Sequence, residues 1–294
     1  MELPLVSICI PTFQGERFLE EAMRSAFAQT YPALELVISD DGSTDGTLAV
    51  VDRLRPEAPM PVRVVKHRPS GIGANWNNCV RHAKGAYIKF LFQDDLLAPN
   101  CVARMVAMAG SAPEVMLVYS RRRLLHDPDN PQDAAWVARY GELHRAWRNA
   151  RVEEGVMPGR TLLRDPALLD LPRNKIGEPP AVLLDRRVFN RHGWFSTELR
   201  QALDYVFWYK VLRYGQVGFV DEELVTFRLH AAQATQVNAR TGALTELDRL
   251  PLHYLRHLGS YLHPSVRRRI FFEFTAMGRL VVGMVHRLRT LAGS

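Results

Sequence analysis

Two stretches of this chain are built alike, and together they constrain its fold more than any other feature. Leu34-Glu35-Leu36-Val37-Ile38-Ser39 runs into Asp40-Asp41, and Tyr87-Ile88-Lys89-Phe90-Leu91-Phe92-Gln93 runs into Asp94-Asp95. Each is an apolar run of strand length that delivers two adjacent carboxylates to its end. In a parallel sheet neighbouring strands finish on one side, and open α/β sheets bind ligands beyond those ends, so both acid pairs are expected to line one cleft. Either pair alone is also ordinary turn chemistry, the second being closely followed by Ala98-Pro99. Together they pose an electrostatic problem, because close carboxylates are costly unless a cation or hydrogen-bond donors compensate them.

The intervening segments supply the crossovers such a sheet needs. Leu5-Val6-Ser7-Ile8-Cys9-Ile10 predicts a first buried strand stopped by Pro11-Thr12. Gly15 to Thr30 carries Phe18, Leu19, Ala22, Met23, Ala26 and Phe27 at helical spacing. With the strand at 34–39 this makes a βαβ unit, whose right-handed crossover puts the turn after Ile10 and Asp40-Asp41 on one rim. Thr44-Asp45-Gly46-Thr47 predicts caps for a helix over Leu48, Val51 and Leu54, and Val62-Arg63-Val64-Val65 a third strand. The turn from His67 to Gly73 suits an anion through its backbone N–H groups, although a purely structural turn is the commoner use of such glycines. A helix from Ala74 to Ala83 returns to the second acidic strand, and helix Asn100 to Gly110 with strand Val115 to Ser120 extends the pattern. Beyond Arg121-Arg122-Arg123 the alternation blurs into a Trp-bearing helical stretch from Ala134 to Ala150. No repeat or low-complexity linker divides the chain, so its second half is expected to share the sheet of the first.

With 294 residues and 47% hydrophobic content the chain can bury a large core. A formal charge of +7 suits an anionic partner, whether a diphosphate, a membrane surface or nucleic acid, without choosing among them. Cys9, Cys79 and Cys101 have no metal-type spacing and read as buried reduced thiols, which favours a reducing compartment. Met1-Glu2-Leu3-Pro4 is unlike a signal peptide, and no apolar run reaches the ~18 residues of a transmembrane span, so neither is expected.

Taken as an ordered series, the motifs resemble the inverting family 2 glycosyltransferases of the GT-A fold over roughly residues 5–235. The series is Ser7-Ile8-Cys9-Ile10-Pro11-Thr12-Phe13, Ser25-Ala26-Phe27-Ala28-Gln29-Thr30-Tyr31, Asp40-Asp41-Gly42-Ser43-Thr44-Asp45-Gly46-Thr47, Gly85-Ala86-Tyr87-Ile88 and Asp94-Asp95. The resemblance implies that Pro11, Phe13 and Asp41 contact the nucleotide base. A carboxylate accepting the imide N–H of uracil or thymine, under a ring covered by Phe13, makes chemical sense of that. The second pair stands where the family has an Asp-x-Asp-type motif, which implies Asp94 at the donor ribose or a metal-bound water and Asp95 on Mg2+ or Mn2+. Phe92 occupies the first acidic position of the fuller motif, removing one ligand.

The segment Gly177-Glu178-Pro179-Pro180-Ala181-Val182-Leu183-Leu184 and the turn His192-Gly193-Trp194-Phe195 resemble the family's acceptor side. They lead to Asp204, the implied catalytic base, with Glu178 as the next candidate; Leu203 stands where the family more often has Glu. Asp204 also reads as an N-cap for the aromatic helix after it. Val225-Thr226-Phe227-Arg228-Leu229-His230-Ala231-Ala232-Gln233-Ala234-Thr235 resembles the family's Arg-x-His element. On an extended segment Arg228 and His230 share a face, so both suit a diphosphate, and His230 also suits the metal.

The fold class expected is therefore α/β, a GT-A fold with a Rossmann-like, mostly parallel nucleotide-binding half (residues 1–120), an acceptor-binding and catalytic half (121–235) and a C-terminal helical extension (236–294). The activity implied is metal-dependent inverting transfer of a sugar from a nucleoside-diphosphate sugar, UDP or dTDP favoured, to an acceptor hydroxyl in bacterial cell-surface glycan synthesis. The acceptor expected is a glycan, lipid-linked in many such enzymes, and nucleic acid is not an expected partner. Rival readings are a nucleotide-sugar-binding membrane scaffold without turnover and a sugar-nucleotide nucleotidyltransferase; the second lacks its expected Gly-rich loop at Pro11-Thr12-Phe13-Gln14. In the tail, Ile270, Phe274, Met277, Val281, Met284, Val285 and Leu288 form one apolar helical face among arginines. Residues 264–294 thus suit either an anionic membrane surface, with the protein cytoplasmic or peripheral at the inner face of the cell membrane, or packing on the catalytic domain.

Overall fold

The alternation of apolar strands and amphipathic helices folds as the pattern predicts at the N-terminal end. The computed structural model describes residues 2–230 and 243–292. Strand β1 (Val6–Thr12) is buried along its whole length and pairs in parallel with β2 (Leu34–Asp40) and β4 (Tyr87–Phe90), while β3 (Val62–Lys66) lies parallel on β2. Helices α1 (Leu19–Phe27), α2 (Thr47–Leu54) and α3 (Ile72–His82) make the crossovers. Side chains alternate across the sheet, with Ile8, Ile10 and Leu36 packed with α1 and α2 on one face and Cys9 and Val37 with α3 on the other. Both acid pairs leave the same rim, since Thr12 is in register with Asp40 and Cys9 with Phe90.

The chain continues through β5 (Leu96–Leu97), α4 (Cys101–Gly110), β6 (Val115–Leu125), α5 (Pro131–Tyr140), β7 (Gly155–Pro158), α6 (Gly159–Leu163), β8 (Val182–Asp185), α7 (Arg187–His192), α8 (Leu203–Val211) and β9 (Gln216–Arg228). The described strands form one sheet in the order β3-β2-β1-β4-β8-β6-β9-β5, with β7 also on β9. Both halves therefore share the sheet, but it is mixed: β8 runs antiparallel to β4 and β6, and β5 and β7 antiparallel to β9. The reversal arises because the chain enters β8 from the acidic rim and descends, so Asp185 pairs with Tyr87 at the far edge. Strand β6 passes its expected end at Ser120, as Arg121, Arg122 and Arg123 find partners in Glu223, Val225 and Thr226 of β9. The expected helix over Ala134 to Ala150 stops at Tyr140. All three cysteines are buried and unpaired.

Helices α9 (Leu250–Leu258), α10 (Pro264–Phe274) and α11 (Ala276–Ala292) close the chain. Leu250, Tyr254, Leu258, Val266 and Ile270 extend the core that contains α8. The single apolar face expected along the tail is divided: Ile270 is buried, whereas Met277 and Met284 are more than half exposed. Thr275 causes the division. Its backbone is extended (φ −91°, ψ 150°), its hydroxyl donates to the Phe271 carbonyl, and the same oxygen accepts from Gly278 N–H. Helix α11 then crosses α10 so closely that a Cβ on Gly278 would lie 2.0 Å from the Phe271 oxygen. The side chains of Val285 and Leu288 lie outside the described residues, as do residues 231–235 of the Arg-x-His segment. Among the described residues no helix is long and apolar enough to cross a membrane.

Candidate active site

At the end of β2 every oxygen is engaged. Asp40 accepts bonds from the Thr12 and Ser43 hydroxyls (2.9 and 2.6 Å) and from the amides of Gly42 and Ser43 (3.2 and 2.9 Å). Asp41 accepts from the amides of Ser70 (2.8 Å) and Gly71 (3.0 Å), and His67 Nδ1 lies 3.3 Å from its carboxylate. The glycine turn does present N–H groups to an anion, and that anion is Asp41. Gly71 adopts φ +86°, which a glycine reaches without the strain a side chain imposes.

The loop after β1 is stitched to this turn. Gln14, held at φ +51°, accepts from the Thr44 amide at 2.8 Å and donates from its own amide N–H to the Ser43 hydroxyl at 3.0 Å. Pro11 is buried within β1, whereas the next-but-one residue, Phe13, exposes about half of its surface (53%). Gln93 then joins this loop to the second acid turn by two bonds, accepting from Phe13 N–H at 2.9 Å and donating to Phe13 C=O at 3.0 Å. Its amide lies against Gly15, where a Cβ would come within 2.3 Å of it. Gln14 and Gln93 escape sequence reasoning, since nothing in a lone glutamine announces which loop it will bridge.

The second acid turn is undersupplied with donors. Asp95 is 1% exposed; its Oδ1 accepts from Arg228 N–H at 3.0 Å, but its Oδ2 has no hydrogen-bond partner among the described residues. Burial pushes its carboxyl well above the ordinary range, and the neighbouring Asp94 adds to the shift. Asp94 meets His230 Nε2 at 2.8 Å, leaving His230 Nδ1 buried and without a partner among the described residues. The structure thus brings His230 against Asp94 rather than Asp95. Arg228 clamps the turn to β9 by donating to Asp94 C=O (3.0 Å) and Glu21 (2.7 Å), with its guanidinium 4.5 Å from the Phe18 ring centre. Phe92, at the missing acidic position, instead packs against the aromatic core, 5.2 Å from Trp76.

Asp204 is the second residue of α8, so Ala202 and not Asp204 caps that helix. Its Oδ2 accepts from Asn174 at 2.9 Å and its Oδ1 has no partner among the described residues. Burial pushes its carboxyl up to about 8, with Glu178 adding to the shift and the first turn of α8 and Asn174 opposing it. Asn174 also organises the loop before β8 by accepting from the Ile176 and Gly177 amides. Glu178 in that loop pairs with the buried Arg122 at 2.6 Å, and buried Lys89 of β4 donates to the Pro180 carbonyl. Leu203, where a glutamate was expected, is buried in the core beside Gly73.

The sequence matches the family model described as glycosyl transferase family 2 over residues 7–167. An uncharacterized protein of Mycobacterium tuberculosis (strain CDC 1551 / Oshkosh) is 31% identical over 248 residues, 84% of this chain and 73% of that protein. The chondroitin synthase of Escherichia coli is 40% identical over 100 residues, which make up 34% of this chain and 14% of that enzyme. Among solved structures, S. aureus TarS 1-349 in complex with UDP-GlcNAc superposes with a TM-score of 0.66 at 19% identity, over 92% of this chain and 71% of that one. The mannosyltransferase PcManGT from Pyrobaculum calidifontis, in complex with GDP-Man and Mn2+, gives 0.63 at 20% identity over 100% and 77%. At such identities the likeness establishes a shared fold, the GT-A fold with its mixed, curled sheet.

Proposed function

The chain belongs to glycosyl transferase family 2 and is a glycosyltransferase, and from that premise we propose that it transfers a sugar, with inversion, from a nucleoside diphosphate to an acceptor hydroxyl. The observation that carries this reading is a pair of buried carboxylates, Asp95 and Asp204, each with one oxygen left without a partner among the described residues. Burial raises the proton affinity of both, and the charge of Glu178 adds a smaller share at each.

In this reading Phe13 covers the face of the base beside Pro11. Asp41 takes the imide N–H of uracil or thymine with the acceptor capacity left beyond Ser70 and Gly71. Asp94 holds the ribose or a metal-bound water and fixes His230, as carboxylates commonly orient a metal-binding imidazole. Asp95 Oδ2 and His230 Nδ1, both without partners among the described residues, would hold a divalent ion such as Mg2+ or Mn2+. No group of three His, Cys, Asp or Glu suited to a metal occurs among the described residues, and oxygens of a bound diphosphate would complete such a site. Bound there, the ion would neutralise charge on the departing diphosphate, a task shared by Arg228. Asp204 removes the acceptor proton through Oδ1 while Asn174 holds its other oxygen. Inversion needs one attack and hence one base.

A nucleotide-sugar binder without turnover is the second reading, favoured by Phe92 and Leu203 standing where the family more often has acids. A thermal-shift screen of nucleotide sugars with and without Mn2+ identifies the donor, because a ligand binding only the folded chain raises the melting temperature. Multiple-turnover release of nucleoside diphosphate then separates the two readings. Binding without release in the presence of acceptor glycans would sink the transferase reading.

For the acceptor, a lipid-linked glycan at the inner face of the membrane is in keeping with α11, whose exposed Met277, Leu280 and Met284 lie on the same helix as Arg279. Co-sedimentation of the full chain with anionic and neutral liposomes tests this contact. Replacing those three apolar residues by serine should abolish a salt-sensitive binding to anionic vesicles; equal binding by both chains, or by neither, removes the membrane from the proposal.

A further inference from the structure

On the edge of the sheet opposite the acid pairs, where β1 and β4 begin and β8 ends, lies a cavity of about 850 Å3. The length of β1 alone separates it from the acidic rim by about 20 Å. We propose that this cavity is a second binding site that takes an acidic saccharide. A sugar ring would lie on Trp194, and its carboxylate or phosphate would meet Arg81, Lys84 and Arg186.

The lining is strongly cationic. Arg81, Lys84, Arg186 and Arg187 face a single carboxylate, Asp185, and that one is bound by Arg187 through bonds of 2.7–3.0 Å. Arg81, Lys84 and Arg186 have no carboxylate partner among the described residues, and all three side chains are exposed. The nearby Glu35 forms no ion pair with them; it is buried and accepts from the Ser7 hydroxyl and the Lys84 amide. Several guanidinium groups at one cavity suit carboxylate or phosphate oxygens, which they bind through paired N–H donors.

Trp194 remains 41% exposed at this cavity, buttressed by Phe189 at 5.6 Å and with the Arg81 guanidinium 5.1 Å from its ring. The ring surface that Arg81 leaves open, beside cations without carboxylate partners among the described residues, matches a ligand that is apolar on one side and anionic on another. A nucleotide would also stack, but the lining offers little to read a base edge. Its neutral side-chain amide is the exposed Asn190, and Asp185 is already engaged. The choice of a saccharide rests on the chain being a glycosyltransferase; it does not depend on the donor or metal assignments. The cavity is within the ~300–1,000 Å3 range of small-ligand sites.

Calorimetry on the full chain tests the proposal with four probes: a galacturonate tetrasaccharide, a phosphorylated maltotetraose, neutral maltotetraose and UMP. At least one acidic oligosaccharide should bind, at least tenfold more tightly than the neutral one, and should weaken as salt is raised. Binding by only one of the two acids supports the proposal and identifies the charge preferred. The double variant Arg81→Ala/Arg186→Ala and the single variant Trp194→Ala should each weaken it tenfold or more. Titration of UDP with Mn2+ should be unchanged in both, so a failure of the donor reading is seen separately. Should Trp194→Ala misfold by circular dichroism, Lys84→Gln/Arg186→Gln, altering only exposed ends, carries the test. Absence of binding by both acids, equal binding of neutral maltotetraose, tighter variant-sensitive binding of UMP, or indifference to the folded variants would each overturn it.

Discussion

Asp40 and Asp41 end β2, and Asp94 and Asp95 follow β4, on opposite sides of β1 in one sheet; the two pairs are nevertheless held in opposite ways. Every oxygen of the first pair has a partner, among the hydroxyls of Thr12 and Ser43 and the amides of Gly42, Ser43, Ser70 and Gly71. The second retains a buried oxygen on Asp95 and an imidazole nitrogen on His230 without partners among the described residues. Charge repulsion is met from within the fold at the first pair. At the second, Arg228 N–H and His230 meet it in part, and Asp95 Oδ2 has no partner among the described residues. A carboxylate with all its bonds made holds loops together, whereas one left short is poised for a cation or a proton.

That contrast can be broken by measurement. The largest effect should come from Asp204→Asn, a third under-bonded carboxylate: loss of a general base costs about 10²–10⁴ in rate, with UDP affinity retained in calorimetry. Wild-type turnover by this variant would move the base to Glu178. Asp95→Asn should leave the fold intact and lose tenfold or more of the Mn2+-supported UDP affinity, since an amide is the poorer ligand for a hard cation. Asp40→Ala should do the reverse, destabilising the chain by about 2 kcal/mol or more in urea unfolding, because it strands several buried donors. If Asp40→Ala proves no more disruptive than Asp95→Asn, the two pairs are not different in kind. Asp41→Asn should cost about 1 kcal/mol and weaken nucleotide binding, joining both behaviours in one residue.

The smallest effect concerns pH. With the Asp204 carboxyl raised to about 8, transfer should rise with pH up to that value and level above it. Glu178→Gln should move this limb to lower pH by removing a like charge. The folded chain holds the Asp204 proton that an unfolded chain releases near pH 4. The stability this group contributes is therefore present at acid pH and lost as pH rises through about 8. Asp204→Asn should correspondingly shrink the fall in melting temperature between about pH 4 and about pH 8.

Much of this was legible before the coordinates. Period-two and helical spacings run cleanly to Ser120, and acids at strand ends advertise themselves because charge so rarely follows an apolar run without reason. What was not legible had a common cause, namely information that sits outside any local pattern. Val182-Leu183-Leu184-Asp185 reads as a strand but carries no sign of its antiparallel direction. Gln14 and Gln93 act through amides that reach across loops. In the tail, Thr275 ends α10 although the apolar spacing runs on through it, because its hydroxyl bonds to Phe271 and Gly278 in place of continuing the helix.

Strand β6 has a mechanical consequence. It pairs with β9 from Val115 to Leu125, with bulges after Val115 and at Ser120 and Arg121, and carries the sheet from β8 across to β9. The ladder resumes beyond those bulges as far as Leu125 and Arg228, so the two parts of the sheet are tied by one continuous strand pair. A loop movement around a bound donor would have to break the bonds of Gln93 to Phe13, of Gly71 to Asp41 or of Glu178 to Arg122.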